Sequence, residues 1–304
     1  MKMISKVFSC MLAFSSLLGN VEGQNIYRIW YDKPASYWEE ALPVGNGRIA
    51  AMVFGDPQLE QIQLNEETVS AGSPYQNYNE EAKTALPEMR RLIFEGKYEE
   101  AQNMATTKIL SQVGNEMPYQ TVGRLNIRYQ DHKKVNNYYR DLDISNAVAV
   151  TRYKVDGVEF TEETFASFTD QLVIRHIKAS KPGTINCELF FNTPMRDPKR
   201  SIYGKKGLRL EGITYGSRYF PGKVHYCADL DVKHKGGKVI TANDTLLSVQ
   251  GASELTLYIS MATNFVNYKD ISGDPYQRNK AYLKNAAKDY SKAKAAHIAA
   301  YQKQ

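Results

Sequence analysis

Apolar residues in this chain recur mostly at every second position or in short unbroken runs, with turn residues between them. Ile49 to Phe54 is one such run, closed by Gly55-Asp56-Pro57, and it predicts a buried strand ending in a turn. Leu59, Ile62 and Leu64 stand among polar neighbours and predict a second strand. Between residues 122 and 268 the strand pattern dominates. Val148–Tyr153 and Val158–Phe160 flank Asp156-Gly157, a hairpin-turn signal. Further strands are predicted at Leu172–Ile177, Ile185–Phe191, Leu208–Ile213, Val224–Val232, Thr245–Val249 and Leu255–Ala262. Pro182-Gly183, Gly236-Gly237 and Asn243-Asp244 punctuate them. Many short, evenly spaced strands predict a mainly β fold, a large antiparallel β-sandwich.

Two segments depart from that rhythm. Across 78–112, Leu86, Met89, Leu92 and Ile93 recur at helical spacing, and Pro87 suits a first helical turn. Gly96 interrupts the pattern before Tyr98, Ala101, Met104 and Ala105 carry a second short helix. The segment reads as a helical excursion inserted in a β domain. Tyr276 to Gln304 is rich in Ala and Lys, and Leu283, Ala287, Tyr290 and His297 keep a loose helical spacing. It predicts one helix with a weak apolar face and no evident partner.

The N-terminus adds an address. Lys2 and Lys6 precede an apolar run, Val7 to Leu18, of signal-peptide length and too short to span a bilayer. Val21 and Gly23 suit the −3 and −1 positions of a cleavage site, so residues 1–23 are expected to be a signal peptide and the mature chain to begin near Gln24. Cys10 lies within the run, but Val7-Phe8-Ser9-Cys10 fits a lipoprotein signal poorly. A secreted or periplasmic product is expected. Cys187 and Cys227 would remain, and either a disulfide or two buried thiols fits.

Composition narrows the function classes. Of 304 residues, 42% are hydrophobic and 24% charged, an ordinary globular balance. The net charge of +6 is dispersed, with isolated pairs such as Lys133-Lys134 and Lys205-Lys206, which argues against a nucleic-acid surface. The 21 tyrosines suit both strands and sugar-facing surfaces. Glycoside hydrolysis normally needs two carboxyl groups, or a carboxylic acid and a positioned water, on opposite sides of the scissile bond. Glu39-Glu40, Glu66-Glu67 and Glu162-Glu163 are adjacent pairs, but neighbours on a strand point to opposite faces, so each reads as one solvated and one satisfied carboxylate. There is no Gly-x-Ser-x-Gly elbow, metal-ligand spacing or phosphate loop. His225, Cys227 and Asp229 alternate along one strand, which packing explains better than zinc.

The motif-bearing stretches are Trp38 followed by Ala41-Leu42-Pro43-Val44-Gly45-Asn46-Gly47-Arg48-Ile49-Ala50-Ala51-Met52-Val53-Phe54-Gly55, then Leu64-Asn65-Glu66-Glu67-Thr68, the Ala85–Tyr98 segment, and Tyr119-Gln120-Thr121-Val122-Gly123-Arg124-Leu125. In this order they resemble glycoside hydrolase family 95, the inverting α-L-fucosidases, and its bacterial members in particular. The resemblance implies an N-terminal β-sandwich of the supersandwich type over 24–275 and a helical linker over 276–304. An (α/α)₆ barrel would follow and would carry the general acid and the water-activating Asn and Asp groups. No catalytic residue is thereby assigned in this chain, and no cofactor is implied. Asn46, Arg48, Asn65, Glu66 and Thr68 are the substrate-edge candidates; their structural alternative is a Gly-rich turn held by Asn and Arg, with a Glu paired to a nearby Arg. Ser70 replaces a tryptophan of the family pattern. The implied partners are a fucosylated oligosaccharide or polysaccharide and a catalytic barrel, with no nucleic acid and no membrane span. A stand-alone carbohydrate-binding module, or a structural subunit for a separately encoded barrel, is the alternative.

Overall fold

A computed structural model describes residues 27–111, 117–216, 220–286 and 289–304. The expected signal peptide lies outside those residues. The strands, in chain order, are β1 Arg28–Tyr31, β2 Leu42–Gly45, β3 Ile49–Val53, β4 Leu59–Glu66, β5 Gly123–Tyr129, β6 Val135–Asp143, β7 Val148–Val155 and β8 Val158–Ala166. They continue as β9 Val173–Ala179, β10 Ile185–Asn192, β11 Lys199–Tyr203, β12 Gly207–Ile213, β13 His225–Lys235, β14 Lys238–Asn243, β15 Leu246–Ala252 and β16 Glu254–Thr263. One sheet has nine strands in the order β1-β6-β7-β8-β9-β16-β13-β12-β11, and the other has seven in the order β14-β15-β10-β5-β4-β3-β2. Every recorded pairing is antiparallel, and the expected β-sandwich is the observed fold.

Period-two alternation builds the core. In β4 every second residue faces inward: Glu60, Ile62, Leu64 and Glu66. These meet Leu125, Ile127, Val173, Ile177, Leu189 and Ile259 from both sheets in one apolar layer. The Asp156-Gly157 turn between β7 and β8 has positive φ at both residues, as a two-residue hairpin of matching twist requires.

Charge also enters this layer. Arg175 on β9, fully buried, bonds Glu60 of the opposite sheet at 3.0 Å and contacts Glu162 on β8. Its Nη1 donates to Thr164 Oγ1 at 2.8 Å. Tyr129 and Tyr153 donate to Glu162 Oε1 at 2.6 and 2.7 Å. Glu60 Oε1 accepts the backbone N–H groups of Phe54 and Gly55 at 3.1 and 3.0 Å. Gly55 has φ +76°, and a β-carbon there would stand 2.7 Å from the Tyr138 hydroxyl. Glycine is therefore required where the turn closes over the carboxylate.

The helices differ in detail from expectation. Helix α1 spans Ala82–Phe94, so Pro87 is its sixth residue rather than part of its first turn. It therefore lacks an internal N–H donor. Helix α2, Tyr98–Met104, follows Gly96 and runs into a π-helical turn, Ala105–Ile109. The two helices bury Ala85, Leu92 and Ala101 but leave Phe94 and Tyr98 in solvent.

The C-terminal segment is two helices, α3 Pro275–Asn285 and α4 Tyr290–Tyr301, rather than one. The first helix starts at the cap Asp274, and the second restarts past the break at its own cap, Asp289. Asp274 caps α3 by accepting from the Tyr276 and Gln277 N–H groups at 2.8 and 3.1 Å, and Asp289 caps α4 by accepting from Lys292 N–H at 3.0 Å. Both helices find a partner in the outer face of the nine-stranded sheet, where Val148, Phe165, Ile174 and Tyr258 pack with Leu283, Tyr290 and Ala293. Buried Asn279 accepts from Ser260 at 2.8 Å and donates to the Cys227 carbonyl at 3.0 Å. Cys187 and Cys227 are unbonded, each buried in a different sheet, and burial raises both thiols.

Arg175 supplies one positive charge to two buried carboxylates. Burial raises Glu60, to about 7, against the opposing pull of Arg175. One proton shared with Glu60 then leaves the group neutral. In the unfolded chain this carboxyl ionises near 4.5. Unfolding releases a proton between those values, so stability falls as pH rises from about 4.5 to about 7. Glu60→Gln, which mimics the protonated form, is expected to fold and to flatten that slope in denaturant titrations. Arg175→Met, which strands two buried carboxylates, is expected to lose about 3–5 kcal/mol. Equal stability of the two variants would contradict this reading.

Candidate functional site at the Asn46–Thr68 end

Four of the five candidate residues form one network at an end of the sandwich. Asn46 sits in the β2–β3 turn. Its Oδ1 accepts from the Arg48 and Ile49 N–H groups at 3.1 and 2.9 Å, and its Nδ2 donates to the Ser167 carbonyl at 2.9 Å. The first two bonds close an Asx-type turn and the third reaches the β8–β9 turn of the other sheet. Arg48 grips that turn too, donating from Nε to Gln171 Oε1 at 2.8 Å and from Nη2 to the Gln171 carbonyl at 3.0 Å. Its Nη1 donates to the Met261 carbonyl on β16 at 2.8 Å, and its guanidinium lies 4.6 Å from the ring centre of Tyr282 on α3.

Glu66 ends β4 facing inward, 3.5 Å from Arg48 Nη1. Its Oε2 accepts from Thr68 N–H and Thr68 Oγ1 at 2.8 and 2.6 Å. Burial raises the Glu66 carboxyl, opposed by the Thr68 hydrogen bonds and the Arg48 charge. The Thr68 hydroxyl also contacts that of Thr263 on β16. Asn65 stands apart on the other face of β4, bordering a hollow of about 350 Å³ with Gly47, Ala50 and Tyr119.

The Ala41–Gly55, Leu64–Thr68 and Tyr119–Leu125 blocks are neighbours in space. Ser70 pairs with Tyr119 in an isolated bridge, Tyr119 donates to the Glu66 carbonyl at 3.2 Å, and Thr121 donates to the Leu64 carbonyl at 2.9 Å. The adjacent acidic residues divide as alternation requires. Glu66 is satisfied inside, while Glu67 is exposed and makes no side-chain hydrogen bond or ion pair among the described residues. Glu162 likewise faces the core, and Glu163 faces outward to Lys294 at 2.7 Å and to the Tyr290 hydroxyl on α4. Asp229 pairs with Arg209 at 2.7 Å, which accounts for the His225-Cys227-Asp229 alternation by strand packing.

Glu67 is the residue that the sequence reading left unassigned. It borders the 350 Å³ hollow, a second of about 200 Å³ with Arg48, Glu66, Arg278 and Tyr282, and a third of about 630 Å³. The third is walled by Tyr75, Phe265 and Tyr268, with Ser70 at its edge. The signal was available in the position of Glu67 one residue past an inward-facing strand end.

Residues 29–268 match the family model described as glycosyl hydrolase family 65, N-terminal domain. Alpha-L-fucosidase 2 of Arabidopsis thaliana is 31% identical over 93% of this chain and 36% of its own length. Probable alpha-fucosidase A of Aspergillus niger is 26% identical over 90% of this chain and 36% of its own length. The chain thus spans about a third of the length of these curated relatives. Among solved structures, a putative kojibiose phosphorylase from the human microbiome shares the fold, with TM-score 0.51 and 9% identity over 90% of this chain and 37% of that one.

Arg48→Ala removes the clasp between the sheets and is expected to lower unfolding free energy on the order of 2 kcal/mol, as for hydrogen bonds to a charged group. Asn65→Ala is expected to stay within about 0.5 kcal/mol, as for a surface change. Denaturant unfolding of both variants checks this, and a larger loss for Asn65→Ala would reverse the assignment of roles.

Proposed function

The chain belongs to the family of glycosyl hydrolase family 65 N-terminal domains and is homologous to α-fucosidases, and from that premise we propose that it is the non-catalytic front domain of a fucosidase-type hydrolase. The substrate class is a terminal fucose on an oligosaccharide or polysaccharide. The reaction belongs to a catalytic (α/α)₆ barrel, with residues 24–275 as the sandwich and 276–304 as the linker toward it. The observation that carries this reading is the disposition of the carboxylates. Glycosidases set a carboxylic acid and a second carboxyl group or a positioned water on opposite sides of the bond. Here Glu66 is held by Thr68 and Arg48, and Glu67 faces the hollows alone. Such an edge can hold a sugar without cleaving it. Asn46, Arg48, Glu66 and Thr68 then act as positioning residues that fix the edge, and Asn65 borders it.

Residues 1–23 act as a signal peptide, and the protein works in the periplasm or outside the cell. Lys2, Lys6, the apolar Val7–Leu18 run and the small Val21 and Gly23 support that address. Amino-terminal sequencing of the exported protein is expected to begin near Gln24, and an intact Met1 would contradict export by this route.

The activity test uses the purified 304-residue chain with a 2′-fucosylated oligosaccharide. No fucose release above the blank is expected. Release that scales with protein concentration would overturn the non-catalytic assignment.

A further inference from the structure

Resting on that reading, we infer that the hollow of about 630 Å³ beside Glu67 is a saccharide subsite that takes one neutral pyranose unit of a glycan. Its volume lies in the range of small-molecule sites, roughly 300–1,000 Å³. Its wall and its polar group are of two kinds. Tyr75, Phe265 and Tyr268 supply aromatic surface, and Tyr268 is 74% exposed. The Tyr75 ring is braced by Phe220, with centroids 4.2 Å apart. Aromatic faces suit the C–H face of a pyranose, and their edges tolerate its hydroxyls.

Glu67 supplies the polar contact. Its backbone is fixed by the 2.8 Å bond from its N–H to the Arg48 carbonyl, so the carboxylate is presented from a rigid strand end. An ionised carboxylate accepts hydrogen bonds at both oxygens, and a pair of vicinal hydroxyls supplies two donors in matching geometry. A neutral polyol is favoured over an anion because Glu67 is itself negative. It is favoured over a purely apolar ligand because the carboxylate would then be desolvated without a partner. Ser70 borders the same space with a small side chain.

The test is saturation-transfer NMR and calorimetric titration of the full chain with L-fucose, D-galactose and a 2′-fucosylated oligosaccharide. Wild-type protein is expected to bind at least one of them at millimolar concentration. Glu67→Gln is expected to weaken binding roughly tenfold, the scale of losing a hydrogen bond to a charged group. Tyr268→Ala is expected to weaken it by several fold, and Ser70→Trp to abolish it. Glu67 has no side-chain partner among the described residues and Tyr268 is largely exposed, so unchanged melting curves are expected for both variants. They keep the test decisive if Ser70→Trp does not fold. Absence of binding by the wild type, or binding that Glu67→Gln and Tyr268→Ala leave unchanged, overturns the subsite. Neither outcome touches the front-domain reading, which fails separately if the chain releases fucose.

Discussion

A single buried arginine sets the terms for this sandwich. Arg175 lies between the two sheets and meets a carboxylate from each, Glu60 and Glu162. Charges in a low-dielectric core are tolerated only when paired and hydrogen-bonded. That condition is met by two tyrosine hydroxyls on Glu162 and by two backbone N–H groups on Glu60. A one-residue slip of β9 would turn Arg175 to the outer face and leave Glu60 and Glu162 buried without a counter-charge, and a slip of β4 or β8 would remove one of its two carboxylates. The ionic group therefore acts on register together with the apolar layer around it.

The same pleat that turns Glu60 and Glu162 inward separates the chain's structural carboxylates from its available one. Along β4 the inward set ends at Glu66, which is tied to Thr68 and, through Arg48, to the opposite sheet. One residue later, Glu67 points out to the hollows at that end. The clasp and the opening are thus consecutive residues, the last of the strand and the first of the turn after it. Asn46 and Arg48 hold the β8–β9 turn, and Tyr282 packs over Arg48, so the rim is braced by both sheets and by α3. Ligand contacts made from such an edge would be pre-positioned, with little ordering entropy left to lose on binding.

Much of the fold was legible in the chain. Turn residues such as Asp156-Gly157 and the alternating runs located β3, β7, β10, β12, β13 and β16 to within a few residues, and the start of β8. β6 was not legible, because it reads Val135-Asn136-Asn137-Tyr138-Tyr139-Arg140-Asp141-Leu142-Asp143 and buries Arg140 and Asp141, inverting the usual sign of inward residues. β14 was missed because it is a mostly exposed edge strand with only Val239 packed against the core. Leu59 drew attention from Glu60, the true inward residue, since an apolar neighbour at the wrong phase imitates a core position. The C-terminal break was written in Asp289, a capping signal that a loose helical spacing concealed. At the site, the Glu66–Arg48 pairing was accessible from sequence. The reach of Arg48 to Gln171 and Met261 was not, since it joins residues more than a hundred positions apart.

The central claim is a division of labour: Glu60 and Glu162 serve the fold, Glu66 serves the rim, and Glu67 is left for a ligand. Carboxyl-labelled glutamate NMR, recorded while a fucosylated oligosaccharide is titrated into the full chain, tests it directly. The account predicts that the Glu67 carboxyl resonance moves with added sugar while those of Glu60 and Glu162 stay fixed. Movement at Glu60 or Glu162 with Glu67 unchanged would contradict it.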